Sequence, residues 1–107
     1  MEALFELHGN VHTLRVKGDM TIYTAEALKT HLLNALCVSN TLEIDLSAVE
    51  EMDSAGMQLL VVVKREAQRL GKKLSLVQHS PATMRVLDLF NMSAYFGDPV
   101  IITARQA

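Results

Sequence analysis

The residue types best able to do chemistry stand together at Asp53-Ser54-Ala55-Gly56, a carboxylate, a hydroxyl and a glycine within four positions. A serine where a strand gives way to a helix can act as a nucleophile or accept a group transferred by another protein. A hydrolase elbow carries glycine two residues before its serine as well as two after; here Met52 fills the earlier position and only Gly56 matches. No histidine is tied to Ser54 by sequence, so the hydrolase reading lacks its base. His8 and His12 are four apart but flank a hairpin turn rather than share a helical face, and no carboxylate or second histidine pair completes a metal site. His31 and His79 read as surface or capping residues. Cys37 has no second cysteine in the chain, which removes a disulfide framework and a multi-cysteine zinc site, and it reads as a buried apolar side chain on a helix. Neither glycine-rich phosphate-binding pattern is present. The expectation is a protein that is not an enzyme, with no catalytic residue, no metal and no cofactor.

The elements that must position Asp53 and Ser54 can be read from periodicity. Residues 3 to 7 and 11 to 17 are β-prone runs around His8-Gly9-Asn10 and predict a hairpin. Leu28, Leu32, Ala35 and Leu36 lie at helical spacing and predict a first helix from about Tyr23 to Val38, with Thr21 or Thr24 as its N-cap. Residues 41 to 46 alternate strictly, with Leu42, Ile44 and Leu46 on one face, and predict a strand that ends in an acidic loop, Ser47 to Met52. Asp53 then stands as the N-cap of a second helix whose stripe is Leu59, Leu60, Val63, Ala67 and Leu70, with Gly71 as its stop. Lys72 to His79 holds a strand burying Leu74, Leu76 and Val77, and Ser80-Pro81 opens a third helix striped by Met84, Leu87 and Phe90. A last short strand is expected near Val100 to Thr103. The alternation predicts an α/β fold with a mixed sheet of four to five strands, parallel pairs within it, and helices mainly on one face.

The chain has 107 residues, half of them hydrophobic, with ten basic and twelve acidic side chains and a net charge of -2. That length suits one domain with one core, spanning residues 1 to 107. The charge balance argues against nucleic acid as the main partner. The longest aliphatic run, Leu59 to Val63, is far short of the roughly twenty residues that span a bilayer. With no basic region before an apolar stretch at the N-terminus, the expectation is a cytoplasmic protein without membrane insertion.

Asp53-Ser54-Ala55-Gly56, preceded by Ile44-Asp45-Leu46-Ser47, Val49 and Met52, resembles the signature loop of STAS domains, the family of bacterial anti-sigma factor antagonists. Gly18-Asp19-Met20-Thr21 followed by Thr24-Ala25 looks like the family's landmark at the entry to helix one. Ser80-Pro81-Ala82 followed by Val86-Leu87 and Phe90 looks like its third. The resemblance runs from about Leu4 to Ile101 and implies a STAS-like fold. In the antagonist branch the serine after the aspartate is phosphorylated by a kinase that is also the anti-sigma factor, which carries over onto Ser54, and a phosphatase reverses it. Asp53, Ser54, Ala55, Gly56, Met57, Glu50, Glu51, Asp19 and Thr21 are then the expected partner-binding residues. Ala55 stands where many antagonists have a second Ser or Thr, and Met57 where Leu is usual, so one acceptor remains. STAS domains also serve in lipid-transport and chemosensory complexes, and the alternative expectation is a constitutive interaction subunit without a phosphorylation switch.

Charge patterning gives the proposed switch a physical basis. Glu43, Asp45, Glu50, Glu51 and Asp53 place five of the twelve acids within eleven positions before Ser54. Lys64, Arg65, Arg69, Lys72 and Lys73 gather half of the ten basic residues at the end of the second helix. Such a gradient can orient a docking partner, or it can be a solvated helix end that offsets the dipole. An exposed Met57 beside Ser54 would add an adaptable apolar contact.

Overall fold

The computed structural model describes residues 1–90, in which strand and helix alternate after an opening hairpin. The strands are β1 (Glu2–His8), β2 (Val11–Met20), β3 (Thr41–Met52) and β4 (Lys73–Val77); the helices are α1 (Ala25–Val38), α2 (Ser54–Arg69) and α3 (Pro81–Leu89). The sheet has the order β1-β2-β3-β4, with β1 antiparallel to β2 and the β2/β3 and β3/β4 pairs parallel. This is the mixed sheet that the alternation predicts. The strand expected near Val100 to Thr103 lies outside the described residues.

One core forms between the sheet and the helices. Leu14 and Val16 of β2, Leu42, Ile44 and Leu46 of β3, and Leu74 and Leu76 of β4 meet Leu28, Leu32, Ala35 and Leu36 of α1, Leu59, Leu60, Val63 and Ala67 of α2, and Leu87 of α3. All these strand residues belong to one face, so the helices share that face; the intervening Arg15, Lys17 and Ser47 are exposed on the other. The α1 stripe is buried as its spacing predicts. Leu70 and Phe90, expected at the ends of the α2 and α3 stripes, are instead exposed, because each lies just beyond the last helical turn. Cys37 is also exposed, contrary to the expectation of a buried thiol, since it faces away from the Leu32/Ala35/Leu36 stripe.

The largest departure from the sequence reading concerns β3. It runs twelve residues to Met52, so the acidic segment Ser47 to Met52 is strand rather than loop. Its pairing with β2 slips twice: Arg15 faces Asp45 but Lys17 faces Ala48, and Gly18 faces Val49 but Asp19 faces Glu51. Each slip places an extra residue in β3 and reverses which side chains point inward. Inward burial therefore moves from Leu46 to Val49, and then to the half-buried Met52. Strict alternation fails after Leu46 although the strand continues.

Candidate functional site

The parallel pairing of β2 and β3 brings their C-terminal ends side by side, Met20 opposite Met52, so the β2–α1 turn and the start of α2 meet. Asp53 joins them. Its Oδ1 accepts from the Gly56 N–H at 3.1 Å, closing the first turn of α2, while its Oδ2 accepts from the Ile22 N–H at 3.0 Å, across 31 positions of sequence. The Asp53 N–H in turn donates to the Met20 carbonyl at 3.2 Å. Desolvation alone would raise the Asp53 carboxyl, but backbone donors from Ile22, Gly56 and Ala55 outweigh it and hold the group below the ordinary carboxylate value. The N-cap predicted from sequence is thus also a latch between two loops.

Gly56 makes the junction possible. A Cβ there would lie 2.2 Å from the Met20 carbonyl oxygen, a contact that backbone cannot relieve by rotating a side chain. Thr24 occupies the N-cap position of α1, yet its side chain does not cap that helix. Its Oγ1 donates to the Asp19 carbonyl at 2.8 Å and accepts from the Thr21 N–H at 3.1 Å, which pins the turn carrying Asp19 and Thr21. The two sequence landmarks, Gly18 to Thr21 and Asp53 to Gly56, are therefore one physical unit.

Ser54 is the first residue of α2 and is exposed; its hydroxyl makes no hydrogen bond among the described residues. Glu50 and Glu51 are exposed at the C-terminal end of β3 beside it, and Ala55 is half-buried. Met57 departs from expectation: it is only 8 % exposed and belongs to the core, where it begins the Met57/Leu60/Val63 row of α2 that packs on the sheet. Gly56 is buried too, so both support the loop from beneath rather than face a partner. Two residues not singled out from sequence take their place. Ile22 and Tyr23, 69 % and 94 % exposed, project from the pinned turn. Ile22, Ala25, Glu26, Ala55, Gln58 and Val62 line an open depression of about 430 Å³ between the starts of α1 and α2. An apolar pair after a Thr in a predicted turn was the available signal.

The basic cluster resolves into structural and free charges. Lys64 Nζ donates to the Leu74 carbonyl at 2.8 Å, and Lys72 Nζ donates to the Leu36 and Cys37 carbonyls at 2.7 and 3.0 Å, closing the C-terminus of α1. Arg69 pairs with Glu66 one turn away. Arg65 and Lys73 remain exposed, while Lys64 and Lys72 are committed to carbonyls of β4 and α1 rather than to the end of α2. Ser80, at the third landmark, is buried and accepts from the Thr83 N–H at 3.2 Å. Among the described residues no group of three or more His, Cys, Asp or Glu side chains could hold a metal, and no helix is long and apolar enough to cross a membrane.

A hairpin-led mixed sheet, helices on one face and an Asp-Ser-x-Gly latch at the start of α2 define a STAS-type domain. The family profile described as "Mlab, STAS domain" matches residues 3–102, and the chain belongs to the STAS domain family. Among solved structures, it is similar to an anti-sigma factor antagonist from Mycobacterium paratuberculosis, with 28 % identity and a TM-score of 0.83 over 98 % of this chain and 91 % of that one. It shares its fold with the Bacillus cell fate determinant SpoIIAA in the phosphorylated form (18 % identity, TM-score 0.67, covering 98 % and 97 %). The same fold recurs in a sulfate transporter family protein from Wolinella succinogenes (20 % identity, TM-score 0.71, covering 86 % and 75 %).

Proposed function

We propose that this protein is a partner-switching module of the anti-sigma factor antagonist type, which binds an anti-sigma factor that is also a serine kinase and is released when Ser54 is phosphorylated. The observation that carries this reading is the contrast between a rigid junction and a free hydroxyl: Asp53, Gly56 and Thr24 immobilise the backbone around Ser54 while its side chain stays exposed and unbonded. The docking face comprises Ser54 and Ala55 with Ile22, Tyr23, Glu50 and Glu51 around them; Asp19, Thr21, Asp53, Gly56 and Met57 hold it in place.

Asp53 already takes the Gly56 amide of the first turn, which leaves a phosphate on Ser54 free to extend toward the partner. It adds about -1.5 to -2 charges beside Glu50 and Glu51. A unit charge about 7 Å from a like charge on the partner costs about 2 kcal/mol at an effective dielectric of 20, enough to weaken a complex more than tenfold. A phosphatase would restore binding.

The test is to incubate the protein with ATP and a serine kinase of the anti-sigma factor type that binds it and to map modification by mass spectrometry. One phosphate on Ser54, absent from Ser54→Ala, is expected. Modification that persists in that variant, or none with a demonstrably active kinase, overturns the assignment. A second reading, a constitutive interaction subunit of a transport or sensory complex, is favoured by the same preformed latch, which needs no phosphate to order the loop. It prevails if Ser54→Asp and Ser54→Ala bind the natural partner equally well.

A further inference from the structure

Among the described residues β1 is an edge strand, and its only protection against pairing with another strand is the charge of Glu2 and Glu6. It spans seven residues, pairs with β2 without a register slip, and contains neither proline nor lysine. Its far side carries no strand among the described residues. Leu4, Phe5 and Leu7 are 54 %, 44 % and 59 % exposed, an apolar run on a strand whose other members are mostly polar. Phe5 is held in place by stacking on His12, ring centroids 5.1 Å apart and planes within 9°. Behind it, Ala3, Phe5, Leu14, His31, Asn34 and Ala35 surround a depression of about 230 Å³ between β1 and α1.

The hairpin decides which backbone groups face outward. His8 and Val11 flank the two-residue turn Gly9-Asn10, with Gly9 at φ 63°, so His8 and Val11 form the hydrogen-bonded pair that closes it. Alternation along an antiparallel ladder then points the N–H and C=O groups of Glu2, Leu4, Glu6 and His8 toward β2, and those of Ala3, Phe5 and Leu7 outward. A partner strand must therefore hydrogen-bond to Ala3, Phe5 and Leu7.

Among the registers that pair at least five residues of β1, a second copy meets this demand in one without apposing like charges. Centred on Phe5, an antiparallel pair sets Phe5 against Phe5 and Ala3 against Leu7 as hydrogen-bonded pairs. Leu4 then faces Glu6, and Glu2 faces His8. Shifting the centre to Leu4 opposes Glu2 to Glu6, and shifting it to Glu6 opposes Glu6 to itself, both of which are disfavoured. We propose that two copies of this chain pair antiparallel through β1 in the Phe5-centred register, forming a continuous sheet across a two-fold axis. The edge uses residues 2 to 8 and the Ser54 junction uses residues 19 to 24 and 50 to 58, so the two share no residue. Such a dimer presents two Ser54 faces to a two-site partner.

A single edge pairing lies at the small end of protein interfaces, so dimerisation should depend on concentration. Sedimentation velocity from about 5 to about 500 μM is expected to show a monomer–dimer transition, and Phe5→Lys or Leu7→Lys to raise its midpoint at least tenfold with unchanged circular dichroism. The register is read by cysteine cross-linking in a Cys37→Ser background. A mixture of Leu4→Cys and Glu6→Cys chains should form the disulfide-linked pair, while neither chain alone does. A monomer throughout the range, a dimer indifferent to both lysine variants, a mixture that fails to cross-link, or Leu4→Cys cross-linking to itself overturns the proposal. Leu7→Lys serves if Phe5→Lys disturbs the His12 stack.

Discussion

Helices α2 and α3 each follow a strand, α2 after Asp53 alone and α3 after residues 78–80, and both close their first turn by a side chain that accepts from the amide three residues on. Asp53 does so toward Gly56 and Ser80 toward Thr83. At α3 the serine is the cap, is buried, and is bonded further to the Thr83 hydroxyl, while Pro81 fixes the next residue. At α2 the capping task falls to the aspartate, and the serine moves one position on, where it is exposed with nothing to hold. The third position differs as well: buried Thr83 reinforces its own turn, whereas Gly56 is bare so that α2 can press against the Met20 carbonyl. Similar capping chemistry thus produces one junction that is closed on itself and one that leaves a hydroxyl available.

The largest effect should come from filling the space at Gly56. Gly56→Ala drives a Cβ into the Met20 backbone and is expected to destabilise the protein by about 3 kcal/mol, read as a lower urea midpoint. Thr83→Ala, the corresponding change at α3, removes a hydroxyl but adds no clash and should cost less. Next in size is Ser80→Ala, which leaves the buried Thr83 amide without its acceptor and should cost about 2 kcal/mol. Asp53→Ala loses both its cap and its Ile22 bond near the surface and should cost about 1 kcal/mol. The comparison breaks if Asp53→Ala proves worse than Ser80→Ala.

Acid should separate the junctions too. At the α3 end, His79 has both ring nitrogens buried without a hydrogen bond among the described residues, and burial holds its pKa below the usual imidazole value. The unfolded chain therefore takes up a proton first, so the stability tied to a neutral His79 is full above about pH 6.5 and declines as pH falls toward the folded value. Asp53 is held below the ordinary carboxylate value, so its contribution is full above about pH 4 and is lost only as pH falls through the folded value. Denaturation midpoints should sag as pH falls below about 6.5 in the wild type but not in His79→Gln, and Asp53→Asn should flatten only the segment below about pH 4. Smallest of all, Ser54→Ala should change stability by less than about 0.5 kcal/mol, because the native hydroxyl bonds nothing among the described residues.

Much of this was legible in the chain. The Leu28/Leu32/Ala35/Leu36 stripe, the Asp53 and Ser80 caps and the Gly71 stop, at φ 70°, were read from residue type at short spacing, and the structure agrees. The reading failed where β3 slips against β2, since an extra residue reverses the inward face without leaving a local mark. It failed again at the helix termini, where Leu70 and Phe90 continue a stripe that the fold no longer covers. The basic cluster misled because a lysine bonded to a distant carbonyl and one in free solution have the same spacing.

By itself, then, the sequence determined the order of elements, the buried stripes and the position of a serine beside a capping aspartate, all of which depend on neighbours within a few residues. Only the tertiary structure decided that Asp53 would also grip Ile22, that Gly56 could bear no side chain, and that Met57 would face inward while Ile22 and Tyr23 face out. These follow from parallel strands placing Met20 beside Met52, and such long-range proximity is set by strand order and register rather than by local propensity.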